Sequence, residues 1–481
     1  MSVWRRSLSF ATRPRPQFPY GTGQPIHETR PHSINPGDIT PGISAEEYYQ
    51  RRVRLAHKLP PSSVAIVSGS SVQFASGSVF HPFQQNTDLF YLSGWNEPDT
   101  VIAVEVDANH EMTFHMVVPP KNPHKDKWEG DKSGLEGAYD VFNADIVVDS
   151  HQGKRHLTEL VDKAQHVFID STKPQLASLG LSSALNQLSG RSGAKPVAPI
   201  IAKLRAIKSA SEQRVMAAAA KASSRAIHHA IATSTNTPFR QEKTLARFLD
   251  YSFVLHGCDG PAYIPVVASG ANALTIHYTR NDDVIYDDEL VFIDAGGKLG
   301  GYCADISRAW PHRGKFSEPQ KDLYSVVLEC NKQCIDHCVP SNSLHDIHEV
   351  SVSLLLKGLQ QLPGFSHVSR TEVARSLYPH YIGHHLGIDL HDVPSVSRFD
   401  PLQPGNVVTI EPGLYIPKDD KWPKHYQGIG IRVEDDVVVG SSSATITNLT
   451  AGCVKEIADI EALIANGVTT PGVGEEQLNL L

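Results

Sequence analysis

A chain of 481 residues, 40% hydrophobic and 20% charged, has ordinary globular composition, and its length calls for two domains rather than one core. A formal net charge of −8 argues against a general nucleic-acid binder, which needs a clustered basic face. No apolar run approaches the roughly 18–20 residues of a membrane-spanning helix, and six cysteines do not make a disulfide framework in so long a chain.

In chain order, residues 1–17 come first, with Arg5, Arg6, Arg13 and Arg15 among serines and no acid before Glu28. Trp4, Leu8 and Ala11 recur at helical spacing until Pro14. That composition is a mitochondrial presequence's, against the plainer alternative of a basic tail. Residues 21–42 are rich in Pro, Gly and His and predict an extended linker, so 1–42 are read as tail plus linker. Ser44 and Glu47 offer a capping box for a helix running through Arg54. Strands are predicted at 64–67, 101–106 and 113–118 and a helix at 154–163, giving an α/β domain over 43–199.

A second domain, 200–466, opens with another capping box, Ser209 with Glu212, and an Ala-rich helix to about Ala232. Cys330, Cys334 and Cys338 share a helical face with Leu323 and Val327 and read as core rather than as a metal site. Strands are predicted at 289–295, 302–309, 407–416 and 429–439, and the mixture with long helices reads as α+β. Residues 467–481 are polar and expected to be a disordered tail.

Three clusters carry chemistry. In the first, a hairpin turning at Leu299 and Gly300 would set Asp294 directly across from Asp305. Opposed carboxylates about 4.5–5.5 Å apart repel, which implies a shared proton or a bound cation. In the second, His380, His384, His385 and His391 surround Gly383 and Gly387, residues that let backbone approach a site closely. In the third, Glu411 ends an apolar run before a Pro-Gly break, and Arg432 and Glu434 fall on one strand face. Four carboxylates with imidazole and no thiolate suit two divalent ions, Mn²⁺ foremost, with Fe, Co or Zn as alternatives. Such a pair polarises a carbonyl for hydrolysis.

The order Asp294, Asp305, His384, Glu411, Glu434 resembles the five metal ligands of the "pita-bread" metallopeptidases, which include methionine aminopeptidase, prolidase and aminopeptidase P. Residues 275–278 look like the family's histidine strand, 383–392 its metal-histidine loop, and 409–417 and 430–436 its two glutamate strands. Residues 82–99 are similar to the N-terminal domain signature of aminopeptidase P. The resemblance implies a pita-bread catalytic domain behind an aminopeptidase P-type α/β domain.

It further implies that Asp305 and Glu434 bridge two metals, that Asp294 chelates one ion, and that His384 with Glu411 chelates the other. Glu411 would also carry a proton to the leaving amine. His277 and His391 would orient substrate and stabilise the oxyanion, with His380, Tyr263 and Arg432 in outer-shell or substrate-side places. Two residues depart from the pattern: Ala309 where the family usually has Thr, and His385 where an aromatic or Asn is commoner.

The implied activity is a manganese aminopeptidase that removes one residue from imported mitochondrial proteins after presequence cleavage. A general Xaa-Pro aminopeptidase is the alternative, and a non-catalytic binding module is disfavoured by the intact ligands. The expected partners are peptide or protein N-termini and a second copy of the chain, as dimer or tetramer, with no nucleic acid. The expected place is the mitochondrial matrix or the matrix face of the inner membrane, with peripheral attachment and a nuclear role left open.

Overall fold

Short apolar strands in the N-terminal half assemble into a mixed six-stranded sheet in the computed structural model, which describes residues 21–170, 179–236 and 238–467. The presequence-like stretch and the polar tail lie outside the described residues. The sheet order is Lys195–Pro196, His166–Ile169, Ser63–Ser68, Val101–Val106, Met112–Val118, Ile146–Asp149. Val101–Val106 pairs antiparallel with both of its neighbours, and the remaining contacts are parallel. Ser63–Ser68 is buried at every position, as befits a strand covered on both faces. The helix Ala45–Ala56 starts where Ser44 accepts from the Glu47 amide.

The stretch expected to be a linker is irregular, as its Pro and Gly dictate, but it is not a free connector. Ile26, Ile34 and Ile39 are buried, and Asp38–Thr40 pairs with Ile43–Ser44. The buried Gln24 amide bonds Gly94 O at 2.9 Å and accepts from the Asn96 amide at 2.6 Å. Burying each isoleucine is worth about 1.5–3 kcal/mol, enough to hold irregular backbone in place. The turn residues had hidden these anchors.

The chain divides into two compact units between Ala198 and Pro199. In the second, Ser209 and Glu212 cap each other's amides at 2.8 and 3.1 Å, starting the helix Ala210–Asn236. This helix, with Glu242–Leu255, Glu318–Ile335, Leu344–Leu359 and Ile457–Asn466, contributes to a core shared with several small antiparallel sheets. Cys330, Cys334 and Cys338 are buried free thiols in that core.

Three strands expected to be continuous are each interrupted. Tyr302–Cys303 and Ser307–Pro311 flank Asp305, Val407–Ile410 and Gly413–Tyr415 flank Glu411, and Gly430–Arg432 and Asp435–Val438 flank Glu434. An interruption re-aims a side chain out of the regular alternation, and interruptions gather beside functional sites. Here each one falls on an acid.

The hairpin register also differs from the expected one. Gly300 and Gly301 both have positive φ, 55° and 92°, so they form the turn and Leu299 pairs with Tyr302. Asp294 therefore faces Ser307, not Asp305.

Candidate metal centre

Asp294 ends the strand Leu290–Asp294, and Asp305 sits in the interruption that follows the turn. Although they are not cross-strand partners, one phenol joins them. Tyr263 Oη lies 2.5 Å from Asp294 Oδ1 and 2.5 Å from Asp305 Oδ1. Burial and the two acids push that phenol's pKa well above its usual value.

The segment 382–386 runs antiparallel beside 407–411, with Thr409 N on His384 O at 2.9 Å and Glu411 N on Ile382 O at 2.8 Å. This closeness depends on Gly383, where a Cβ would lie 1.9 Å from Thr409 O. His384 Nε2 is thereby placed 3.4 Å from Asp305 Oδ2 and 3.8 Å from Glu411 Oε1. Its Nδ1 is held by His385 O at 2.9 Å. The neighbouring His385 is buried apart from the acids, with Lys208 and Asp392 as its charged neighbours.

Glu434 completes the group. Its Oε2 accepts from Ser307 Oγ at 2.6 Å, and the same hydroxyl accepts from Arg432 Nε at 2.9 Å. Arg432 extends to Asp294 Oδ2 at 2.5 Å and to Tyr415 Oη at 2.8 Å, with its guanidinium over the Phe292 ring. His380 Nε2 lies 2.9 Å from the same phenol oxygen, and its Nδ1 is 3.7 Å from Glu411 Oε2.

The electrostatics are those of a charge deficit. Four carboxylates, from Asp294, Asp305, Glu411 and Glu434, face the Arg432 guanidinium and the His384 imidazole. Burial raises Asp294 to about 6, against the pull of Arg432. Burial likewise raises Glu411 to about 7. Glu434 is driven well above the carboxylate range by burial and by Asp305, Glu411 and Asp294. Burial pushes Asp305 up as well, but it alone is held low, because the His384 hydrogen bond and charge act together with Tyr263 and Arg432. Burial opposes charge on His384, yet Asp305 and Glu411 raise it to about 9. His380 is the opposite case, lowered by burial to about 3 and hence neutral.

Buried acids without enough counter-charge are costly unless a cation joins them. Asp305, His384 and Glu434 can each offer a donor atom within 4.8 Å of the others, the one such metal-holding group among the described residues. Oxygen donors with one imidazole suit a hard or borderline divalent ion.

His277 and His391 lie exposed at the rim. The His391 ring stands 4.3 Å from that of His384, tilted by 60°. His277 is an electrostatic neighbour of both His380 and His391. Residues 275–278 form a loop after the turn Gly270–Leu274 rather than the expected strand. Ser307, Thr409 and Tyr415 escaped the sequence reading. Hydroxyls are common, and only the Asp294–Ser307 register would have singled out Ser307.

Residues 214–441 match metallopeptidase family M24, and residues 48–168 match the aminopeptidase P N-terminal domain. The chain belongs to this family and has the aminopeptidase P-like fold. It is 48% identical over 482 residues to intermediate cleaving peptidase 55 of Saccharomyces cerevisiae, covering 97% of this chain and 92% of that protein. It is 35% identical to Xaa-Pro aminopeptidase 3 of Homo sapiens, covering 92% and 90%. A crystal structure of the yeast Icp55 lacking its N-terminal 58 residues superposes with a TM-score of 0.82 at 48% identity, covering 90% of this chain and all of that one. Proline aminopeptidase P II from Yersinia pestis superposes with a TM-score of 0.82 at 31% identity, covering 88% of this chain and 100% of that one.

Proposed function

We propose that this chain is a two-metal aminopeptidase that removes a single N-terminal residue from imported mitochondrial proteins once the presequence has been cut. The observation that carries the chemistry is the buried group of four carboxylates with too few cations beside it. The relatives that carry the substrate class are intermediate cleaving peptidase 55 of Saccharomyces cerevisiae and its Arabidopsis thaliana counterpart, named as mitochondrial and 35% identical.

Asp294, Asp305, His384, Glu411 and Glu434 would hold two divalent ions, with Mn²⁺ the first choice for this donor set. When bound, such ions supply Lewis acidity toward the scissile carbonyl. The remaining work falls to the chain itself. Glu411, with Oε2 3.7 Å from both His380 Nδ1 and Arg432 Nε, would carry a proton to the leaving amine. His391 and His277, at the rim, would orient the substrate and donate to the developing oxyanion. Arg432 and Tyr263 fix Asp294 from two sides, and His380 with Tyr415 buttresses Arg432.

The proposed assembly is a homo-oligomer in the mitochondrial matrix or on the matrix face of the inner membrane. No helix among the described residues is long and apolar enough to cross a membrane. The second reading, a general Xaa-Pro aminopeptidase, is favoured by relatives such as Xaa-Pro aminopeptidase 3.

Product analysis separates the two. The full chain loaded with Mn²⁺ would be given peptides beginning Xaa-Pro and peptides beginning Tyr, Leu or Phe followed by Ser or Ala. Mass spectrometry should show release of one residue from the second set. Cleavage of Xaa-Pro peptides alone would overturn the intermediate-cleaving reading.

A further inference from the structure

The loop that carries His391 does not reach the rim unaided. We propose that Arg205, Lys208 and Asp392 form a buried clamp that positions His391 for catalysis, an inference that rests on the catalytic reading of His391 given above.

Asp392 is the centre of the clamp. Its side chain is fully buried, accepting from Arg205 Nη2 at 2.5 Å on Oδ1 and from Lys208 Nζ at 2.9 Å on Oδ2. Arg205 also reaches Asp389 Oδ2 at 2.8 Å, so one guanidinium holds two acids of the same loop. A carboxylate this deep needs such partners, and they keep its pKa below the usual value despite burial.

The clamp's base is itself anchored. Lys208 N donates to Gly405 O at 2.8 Å, and Asn406 Nδ2 donates to Ala206 O at 2.9 Å. The loop is closed on itself, with Asp392 N on His385 O at 2.8 Å, and tied to the hairpin through Cys303 N on Gly387 O at 2.9 Å. Glycine at 387 leaves the clamp room to close, because a Cβ there would lie 2.5 Å from Asp392 Oδ2 and 3.0 Å from Lys208 Cε and push them aside.

The next residue adds a second hold. Val393 has φ of +46°, a conformation that a β-branched side chain adopts only under constraint from its surroundings. It is buried against Ala202 and Ala206, on the same helix, Ala198–Ala206, that supplies Arg205. An ionic clamp on Asp392 and an apolar plug at Val393 thus fix the chain immediately after His391. The backbone that carries the imidazole cannot leave the neighbourhood of His384 without breaking one of them.

The ion pairs of Asp392 join it to Arg205 and Lys208 and not to the carboxylate cluster, so the clamp acts through the loop and its members are positioning residues. A misplacement of about 1 Å at a catalytic group can cost on the order of a hundredfold in rate.

The test compares Asp392→Asn, His391→Ala and the double variant in the full Mn²⁺-loaded chain, on whichever peptide set above is cleaved. Asp392→Asn should lower kcat by about ten- to a hundredfold, with bound metal unchanged by atomic spectrometry. Amide exchange at Asp392, read by mass spectrometry, should quicken because its loop is released. In the His391→Ala background, the further loss from Asp392→Asn should be no more than about twofold, since both changes remove one function.

Losses that multiply in the double variant would show that the clamp acts otherwise and overturn the proposal. Full activity of His391→Ala alone would instead overturn the catalytic reading of His391 and the proposal with it, a result distinguishable from multiplied losses. Should Asp392→Asn fail to fold, Gly387→Ala carries the same comparison, because its methyl displaces the Asp392 carboxylate while all three clamp residues remain.

Discussion

Two buried ionic clusters lie next to each other in the second unit and behave in opposite ways. Around Asp435, cations are ample: the carboxylate accepts from Arg308 at 2.9 Å and from Thr450 Oγ1 at 2.9 Å, and Lys455 is bonded to its other oxygen. Against its own burial, these partners hold Asp435 at about 2. One residue earlier, Glu434 belongs to a group whose acids outnumber their cations and whose pKa values mostly rise. Glu434 and Asp435 are equally deep, at 2% and 0% exposed, so burial alone does not mark function. The mark is burial without counter-charge, which a fold tolerates where a missing cation completes the balance.

The largest effects should come from removing one acid from each cluster. Asp305→Asn or Glu434→Gln should abolish peptide hydrolysis, beyond the roughly ten- to hundredfold loss that outer partners of a metal site carry. In metal-free protein Asp305→Asn should lower the melting temperature, because His384 loses its partner, whereas Glu434→Gln should leave it unchanged or raise it, because that buried acid lacks counter-charge. Asp435→Asn should do the reverse of Glu434→Gln, destabilising the fold by about 3–5 kcal/mol because Arg308 and Lys455 lose their partner. Denaturant unfolding of the three variants checks this. Equal destabilisation by all three would erase the distinction between the clusters.

The pH dependence sharpens it. Asp294 and Glu411 keep protons up to about 6 and about 7 in the folded metal-free chain, whereas unfolded carboxyls release them near about 4. The folded state then binds more protons between those values, so this contribution to stability falls as pH rises from about 4 to about 7. Asp435 runs the other way. Its contribution is present above about 4 and is lost as pH falls toward about 2. Melting of metal-free protein across this range should show the first trend, and added Mn²⁺ should reverse it by displacing the protons. No effect of Mn²⁺ on the slope would contradict the assignment.

The smallest expected effect is at Tyr415. Tyr415→Phe removes the phenol shared by His380 and Arg432 but no proposed ligand. Steady-state kinetics should show about a tenfold loss of kcat with the fold intact.

How much of this was legible in the sequence differs by feature. The strand Val101–Val106 and the helix Gly153–Lys163 follow from apolar periodicity, which local physics sets. The three interrupted strands were read as continuous, because an acid inside an apolar run reveals its own oddity but not the break in pairing around it. The hairpin register depended on whether Gly300 turned with Leu299 or with Gly301, a two-residue difference that composition left open. The convergence of Asp294 and Asp305 survived that error because Tyr263, far off in sequence, joins them. Arg205 and Lys208 carried no signal, since their partner Asp392 lies more than 180 residues away.

The most direct test of the central claim is the metal content of the dialysed full chain after loading with Mn²⁺, measured by atomic spectrometry beside Glu434→Gln. Two ions per chain in the parent, with at least one lost in the variant, is the predicted result. An unchanged Mn²⁺ content in the variant, or full peptide hydrolysis by metal-free parent protein, would contradict the account.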